Sequence, residues 1–568
     1  MEDPERLTGG LAGTHRFRRV AERVVDGLLE SAPETATALG DHRFDDRLDD
    51  LSAEGVAARA DLLRDALQAL DGVPEEGLDS PDRVDLEILR TSVAGDLWRV
   101  EELRAHEHDP LVHLPGDALY PLVARDTGEP AARAAAVAAR LAAIPHRLEV
   151  ARAGLQAMSR VHVETAIGQA RGTIDLLGAD LDALLARAPT ATAQVNAVRP
   201  AAADALEGYA RWLESRLPDS DADPRLGDQR FAAKLWYALD TETSPDVLLT
   251  RAESDLQAVE EEIAELASSI VAARPRPDQV REVLDRLAAD APVDDATILP
   301  LCREALDLVT GRVRRLDLVT VPDDPVQIVL MPPSRRGVAV AYCDPPGPLE
   351  PAGPDGRPPP TLLAVAPTPP GWPPARVASF YREYNGHMVR DLSVHEGVPG
   401  HVLQLAHGGR FRGPTRVRTA FRSGTFVEGW AVYAEELVAD AGLGLGGADA
   451  DAVDAALRMQ RLKMLLRSTI NAVLDIRVHA RGMTQDEAMR LMIDRGHQEE
   501  GEAAGKWRRA LLTSAQLSTY YVGYHEVRDV VAALRGARPG APERQLHDEV
   551  LAHGAPPPRH LRALLGLA

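Results

Sequence analysis

The sequence predicts a mainly α-helical fold with a small β-sheet set into its second half. Three observations carry that expectation. Aromatic residues make up only 4% of the chain, while Ala and Leu are abundant, a composition that suits helices packed on helices better than a large β-sandwich. Apolar residues recur at helical spacing through most of the chain, as amphipathic helices require. From about residue 318 to 375 that pattern gives way to short apolar runs bounded by Pro and Gly, which read as strands.

Taken in order, residues 16–110 carry helical periodicity, as in 17-FRRVAERVVDGLLESAPETATALG-40 and 56-VAARADLLRDALQALDGV-73. Residues 130–217 continue it with segments such as 131-AARAAAVAARLAAIPHRLEVARAGL-155. Ser244 and Pro245 supply a cap and a first helical position for a helix over 245–272. No fixed-period repeat emerges, and helices of such uneven length argue against a solenoid. The runs 326-VQIVLMP-332, 337-GVAVAYC-343 and 361-TLLAVAP-367 are expected strands. The Pro- and Gly-dense segment 344–375 around the third is long for a loop, and loops of that length are usually functional or mobile. Helical patterns resume at Pro374 and run to the C-terminus. The expected division is an N-terminal helical lobe, 1–318, and a second lobe, 319–568, holding the sheet and the later helices.

Composition narrows the function classes. With 45% hydrophobic and 27% charged residues the chain reads as soluble and globular. A formal charge of −23 argues against nucleic acid or an anionic membrane as partner. The basic residues are nearly all Arg; only Lys234, Lys463 and Lys506 break the pattern. The two cysteines, Cys302 and Cys343, form no CxxC pair, which excludes a thiolate zinc site and suits a reducing compartment. The opening MEDPERLTGGLAG lacks a basic and an apolar signal region, and no apolar run approaches a membrane span. The expected location is the cytoplasm, as a monomer or homodimer.

The chemistry concentrates in 393-SVHEGVPGHVLQLAH-407. Zinc peptidase helices commonly carry two His at i and i+4, on one helix face. Here position 399 is Pro, and the second His, His401, comes six residues after His395. On a regular helix those positions lie about 120° apart and cannot grip one ion. Pro399-Gly400 supplies a distortion, because Pro removes a backbone donor and Gly tolerates unusual angles. A widened turn or kink is expected, looping out the extra residues so that the imidazoles meet. A catalytic zinc site needs about three protein ligands. The segment 426-FVEGWAVYAEEL-437 offers Glu428 and, two turns further along one face, Glu435. One can be the third ligand and the other a partner for a His; Glu428, coming first, is favoured as ligand. Glu396 points to another side of the helix and suits a general base that takes a proton from water.

These residues resemble a known family. HEGVPGHVLQ followed by EGWAVYAE is similar to the bacterial domain-of-unknown-function family numbered 885, viewed as metallopeptidase-like and related in fold to thimet- and neurolysin-type oligopeptidases. The segments 33-PETATALGDHRFDDRLDDLS-52 and 516-QLSTYYVGYHEVR-528 extend the resemblance over nearly the whole chain. It implies His395, His401 and Glu428 as metal ligands, Glu396 as catalytic acid/base, and Tyr520 as donor to the oxyanion, with Tyr521 and Tyr524 as rivals. It also implies a zincin-like fold with a deep channel and an edge strand, 337–343, that pairs with extended peptide. The sequence departs from the family pattern at 513-TSAQ-516, where Pro-Gly is common before the Gln, at Tyr521, where a polar residue is frequent, and in the long insert 344–375.

The resulting expectation is a zinc-dependent hydrolase acting on an amide bond of a short peptide or peptide-like substrate; manganese or cobalt could serve the same ligands. Glu435, Tyr342, Tyr521, Tyr524, Arg422 and Arg528, with Arg416 and Arg418, are further supporting or substrate-carboxylate candidates. The alternatives are a metal-dependent enzyme acting on a non-peptide amide or conjugate, and a metal-binding or scaffold protein without activity.

Overall fold

The protein, seen in a computed structural model, is described for residues 4–331, 340–353, 355–369, 371–445 and 450–567, with side chains from residue 13 onward. It is mainly helical. The first helices are α1 (Pro4–Glu30), α2 (Pro33–Leu39), α3 (Ala53–Asp71), α4 (Ser80–Trp98), α5 (Gly116–Ala124), α6 (Pro130–Gly154), α7 (Arg160–Asp175), α8 (Leu181–Arg187) and α9 (Thr192–Arg216). They are followed by α10 (Asp228–Leu239), α11 (Pro245–Val271), α12 (Gln279–Asp290) and α13 (Ile298–Leu316). Three strands come next: β1 (Val326–Leu330), β2 (Ala341–Asp344) and β3 (Thr361–Val365). After them come α14 (Pro374–Glu383), α15 (Gly386–Glu396), α16 (His401–Arg410), α17 (Val417–Ala420), α18 (Gly424–Ala441) and α19 (Ala450–Arg481). The chain closes with α20 (Gln485–Arg490), α21 (Glu500–Leu512), α22 (Ser518–Ala537), α23 (Glu543–Leu551) and α24 (Pro558–Leu564).

The chain forms two compact units. One comprises residues 1–224 with 346–359 and 412–421; the other comprises 225–345, 360–411 and 422–568. The expected boundary at 318 therefore lies inside the second unit. The reason is the apolar face of α11: Leu248, Ala252, Leu256, Val259 and Ile263 belong to the same core as Leu462, Leu466, Ile470 and Val473 of α19. The Ser244 cap behaves as the sequence reads, accepting a hydrogen bond from the Val247 N–H.

In the second unit α19 is the axis of the core. Apolar residues are buried on all its sides, including Leu457, Leu462, Leu466, Ile470, Leu474 and Ile476, as a fully enclosed helix requires. It packs against α11, α15, α18 and α22. The sheet has order β1-β3-β2, with β1 parallel and β2 antiparallel to β3. The three predicted strands are all present, although the part of the run 337–343 before residue 340 lies outside the described residues. Side chains alternate between sheet faces. Tyr342 packs near Val329, Met331, Ala364 and Ala366, while Cys343 faces the main core.

In the first unit α6, α7 and α9 build a separate core around Leu141, Leu148, Val163, Leu206 and Tyr209. Part of the Pro-rich insert docks here. The Leu349 N–H bonds the Leu39 carbonyl at 2.8 Å. His42 sits between two carboxylates, with Nδ1 2.8 Å from Asp45 and Nε2 3.0 Å from Glu350. Its hydrogen bonds to Asp45 and then Glu350 outweigh burial and raise its pKa to about 10. A raised folded-state pKa means stabilisation that is full below the ordinary histidine value and is lost as pH rises through about 10. Residues 346–359 should therefore resist proteolysis at pH 6 and become steadily more cleavable as pH rises from about 6.5 towards about 10. His42→Ala should make them cleavable at pH 7; equal cleavage rates for the variant and the parent would show that this histidine does not hold the segment.

Candidate metal centre

His395 is the penultimate residue of α15, and His401 is the first of α16. The sequence leads one to expect a single bent helix; the structure has a complete break, Gly397–Gly400, between two helices. Two hydrogen bonds explain it. The Gly397 N–H donates to the Ser393 carbonyl at 3.1 Å, and the Gly400 N–H donates to the Val394 carbonyl at 3.0 Å. They satisfy carbonyls that the end of α15 leaves free. The second bond spans six positions, from Val394 to Gly400, and the residues following its two ends are His395 and His401. The spacing of the two histidines is therefore the span of this bond. Their ring centroids are 4.8 Å apart, at 86°.

The turn admits no side chain at its glycines. A Cβ on Gly400 would lie 2.0 Å from the His395 carbonyl oxygen, and one on Gly397 would lie 2.3 Å from that of Ser393. The Val398–Pro399 peptide is cis. The Pro399 carbonyl accepts a 2.7 Å hydrogen bond from Nε1 of Trp430, a fully buried residue of α18.

The same helix supplies both glutamates. Its N-cap Ser423 accepts from the Phe426 N–H. Glu428 places Oε2 3.4 Å from His401 Nε2 and 3.6 Å from His395 Nε2. The ligand atoms of His395, His401 and Glu428 all lie within 4.8 Å of one another. Two turns on, the buried Glu435 accepts from His395 Nδ1 at 2.6 Å. That bond sets the tautomer, leaving the Nε2 lone pair turned towards Glu428. α18 is seated against α22 by a glycine pair: a Cβ on Gly429 would fall 2.2 Å from the Gly523 backbone.

This donor set fits a zinc-type cation. Two ligand atoms about 2.0–2.1 Å from a tetrahedral zinc lie roughly 3.3–3.4 Å apart, close to the two separations from Glu428. Glu428 Oε2 is shielded from solvent yet accepts no hydrogen bond, and His401 Nδ1 is likewise buried without a partner. Burial pushes the Glu428 carboxyl up, but the two imidazoles outweigh it and hold it well below the usual range. Burial pushes His395 down, but Glu428 and Glu435 outweigh it and hold it well above its ordinary value. Glu396 behaves oppositely to Glu428: burial outweighs the two histidines and leaves its carboxyl raised. Two carboxylates whose environments push them apart suit two roles, ligand and proton acceptor. Glu396 Oε2 accepts a 2.9 Å hydrogen bond from the Cys343 N–H of β2, so the outer strand of the sheet holds it in place.

The three tyrosines of α22 differ. Tyr521 donates to Asp255 at 2.5 Å and Tyr524 donates to Glu436, so both hydroxyl protons are committed to carboxylates. Tyr520 instead accepts from Arg509 at 3.1 Å and from Gln516 at 3.4 Å, and its proton has no acceptor among the described residues. Two arginine candidates are engaged in the first unit: Arg416 with Glu22 and Asp26, and the buried Arg418 with Asp85. Arg528 is exposed, 3.5 Å from Glu436, and Arg422 lies just before the α18 cap. Tyr342 lies on the sheet face away from Cys343.

Sequence reasoning missed two residues. Trp430, which anchors the turn, looks like ordinary core. Asp391, one turn before His395, is 2% exposed; burial and then the Glu435 charge hold its carboxyl well above the ordinary range. Its i−4 relation to His395 is the signal that could have found it. The departure at 513–516 is also resolved. Ala515 adopts φ +64, a left-handed conformation that glycine takes without cost. Its N–H is held by Asp475, which also accepts from the Ser518 N–H and hydroxyl.

Comparison with known proteins follows this geometry. The family described as "Bacterial protein of unknown function (DUF885)" matches residues 33–565. The chain belongs to this family. DUF885 therefore embraces both compact units. No curated protein of known function matches the sequence. Two solved structures share the fold. One, from Shewanella oneidensis, is described as a "putative lipoprotein of unknown function"; it has TM-score 0.78 and 24% identity over 97% of this chain and 99% of that one. The other, a "putative lipoprotein" from Colwellia psychrerythraea, has TM-score 0.78 and 16% identity over 98% of each chain. Among the described residues no helix is long and apolar enough to cross a membrane.

Two outcomes are expected of this region. Trp430→Phe keeps the ring but strands the Pro399 carbonyl, which should cost about 1–3 kcal/mol in denaturant unfolding; an unchanged midpoint would mean water replaces the indole. Ala515→Gly should stabilise the fold by roughly 0.5–1 kcal/mol by relieving a left-handed alanine, read in the same assay.

Proposed function

We propose that this DUF885 protein is a zinc-dependent hydrolase that cleaves an amide bond in a short peptide or peptide-like substrate, on a zincin-like fold. The observation that carries this reading is the convergence of His395, His401 and Glu428 beside an anchored Glu396. A pure metal-binding site has no use for a raised, positioned carboxylate beside its ligands. His395, His401 and Glu428 would hold the cation, and Glu435 would keep His395 in its coordinating tautomer. The cation supplies Lewis acidity, polarising a carbonyl and making water acidic enough to attack near neutral pH.

The chain's own groups do the rest. Glu396 takes a proton from the attacking water and delivers it to the leaving amine. The Cys343 N–H keeps that carboxylate oriented. Tyr520, its oxygen already accepting from Arg509 and Gln516, has its proton to donate to the oxyanion. The outer edge of β2 lies next to Glu396 through Cys343, and it is where an extended substrate would pair by backbone hydrogen bonds. We place the enzyme in the cytoplasm, on the grounds of its composition.

The test combines metal content with two substitutions. Purified protein should carry about one zinc per chain. Glu396→Gln should keep that zinc and lose turnover of a short-peptide library by at least about 10²-fold, the scale of general acid–base catalysis. His401→Ala should lose the metal. Full turnover in the glutamine variant would remove Glu396 from the mechanism, and a metal-free parent protein would end the reading.

A further inference from the structure

Three lysines occur in this chain among 64 basic residues, and none of them is exposed. Two of them, Lys463 and Lys506, share one buried charged cluster in the second unit. Arginine serves nearly everywhere else, so lysine at these points marks places where a compact ammonium suits and a planar guanidinium does not. The cluster draws on α14 with Glu383 and its C-cap Tyr384, on α19 with Lys463 and Arg467, and on α21 with Glu502 and Lys506.

Each of its carboxylates has a cationic neighbour, although Glu383 Oε1 accepts no hydrogen bond and lies 3.8 Å from Arg467. Glu383 pairs with Lys463 at 2.9 Å and accepts from the Glu499 N–H at 3.2 Å. Glu502 pairs with Arg467 and accepts from the Tyr384 hydroxyl at 3.3 Å. Glu499 is taken at 2.6 Å by Arg382. Lys506 is what remains. It is 6% exposed, and its ammonium has no hydrogen bond or ion pair with any described residue. Arg509, one turn along the same face of α21, bonds only the neutral Gln516 and Tyr520. Two cations thus lie on one face with no carboxylate hydrogen-bonded to either, and Glu502 and Glu383 act on Lys506 only through space.

An unpaired buried ammonium is costly unless it gives up its proton or gains a counter-charge. Burial first, then Arg467 and Arg509, hold the Lys506 pKa well below its ordinary value. Nearby His497 is lowered to about 4 by burial, then Arg281 and Lys463. At Lys506 burial and the neighbouring cations outweigh the pull of Glu502 and Glu383.

We propose that Lys506 and Arg509 form a binding site for a single anionic group of carboxylate type. Its source is either a free small anion or the carboxylate of a peptide. The second source is attractive because Arg509 also touches Tyr520, but the site itself does not rest on the hydrolase reading.

The test uses the full chain, stripped of metal with chelator, so that turnover plays no part. Calorimetric titration with sodium acetate in an otherwise anion-poor buffer should show saturable binding, with chloride as the control for a site that takes any anion. Lys506→Met, which removes the charge but keeps the stem, should fold with an unchanged circular dichroism spectrum and bind at least tenfold more weakly; Arg509→Gln should also weaken binding. A tripeptide acid and its C-terminal amide are then tested as competitors. Displacement by the acid alone identifies a peptide carboxylate, and displacement by neither identifies a free anion; both support the site. Absence of saturable binding by acetate and the acid peptide, whether or not chloride binds, or equal binding by Lys506→Met, would overturn it.

Discussion

The hydrogen bond from the Gly400 N–H to the Val394 carbonyl governs the candidate centre. It ends one helix and starts another within a seven-residue turn, and it delivers two imidazoles to one place. The neighbouring features serve that turn or use it. Two glycines make room for the backbone. Trp430 secures its carbonyl. The helix bearing Trp430 brings Glu428 to the two Nε2 atoms and Glu435 to the Nδ1 of His395. Glu428 and Glu435 are thus spaced along one helix face, while Glu396 is fixed from the other side by a strand.

The electrostatics of the second unit follow from its unusual central helix. α19 is buried on all sides, yet it carries Lys463, Ser468, Asn471, Asp475 and His479 into the core. Such groups are tolerable only when paired. Asp475 organises the start of α22, and His479 reaches the Ala510 and Thr513 carbonyls at 2.8 Å. These polar contacts fix the segment before Tyr520, including the left-handed Ala515. Exceptions on α19 include Asn471 Oδ1 and the Gln460 amide, which are buried without a hydrogen bond.

Much of this could be read in advance, for identifiable reasons. Helical periodicity and Pro/Gly-bounded apolar runs are local signals, so the helices and all three strands follow from them. The two-turn separation of Glu428 and Glu435 is a helix property and places both on one face. What depends on long-range packing could not be read. The break at Gly397–Gly400 is deeper than a bend because α15 is capped by its own turn, and Trp430 braces it from a helix 31 residues away in sequence. The unit boundary depends on α11 joining the core of α19. Tyr520, Tyr521 and Tyr524 are equivalent in sequence and separate only through Arg509, Asp255 and Glu436. Arg416 and Arg418 resemble carboxylate binders until Glu22, Asp26 and Asp85 are seen beside them.

The Trp430–Pro399 bond has a consequence for engineering. A short-spaced metal motif on one regular helix can be moved to another scaffold as a linear string, because the helix itself carries the geometry. HEGVPGH cannot. Cut from this chain it would lose the indole that holds its turn and the carboxylate that orients its first imidazole, both of which arrive on α18. The portable unit is the pair of segments 393–407 and 423–437 together with the packing that joins them, and a minimal mimic must be designed as a two-element site from the outset.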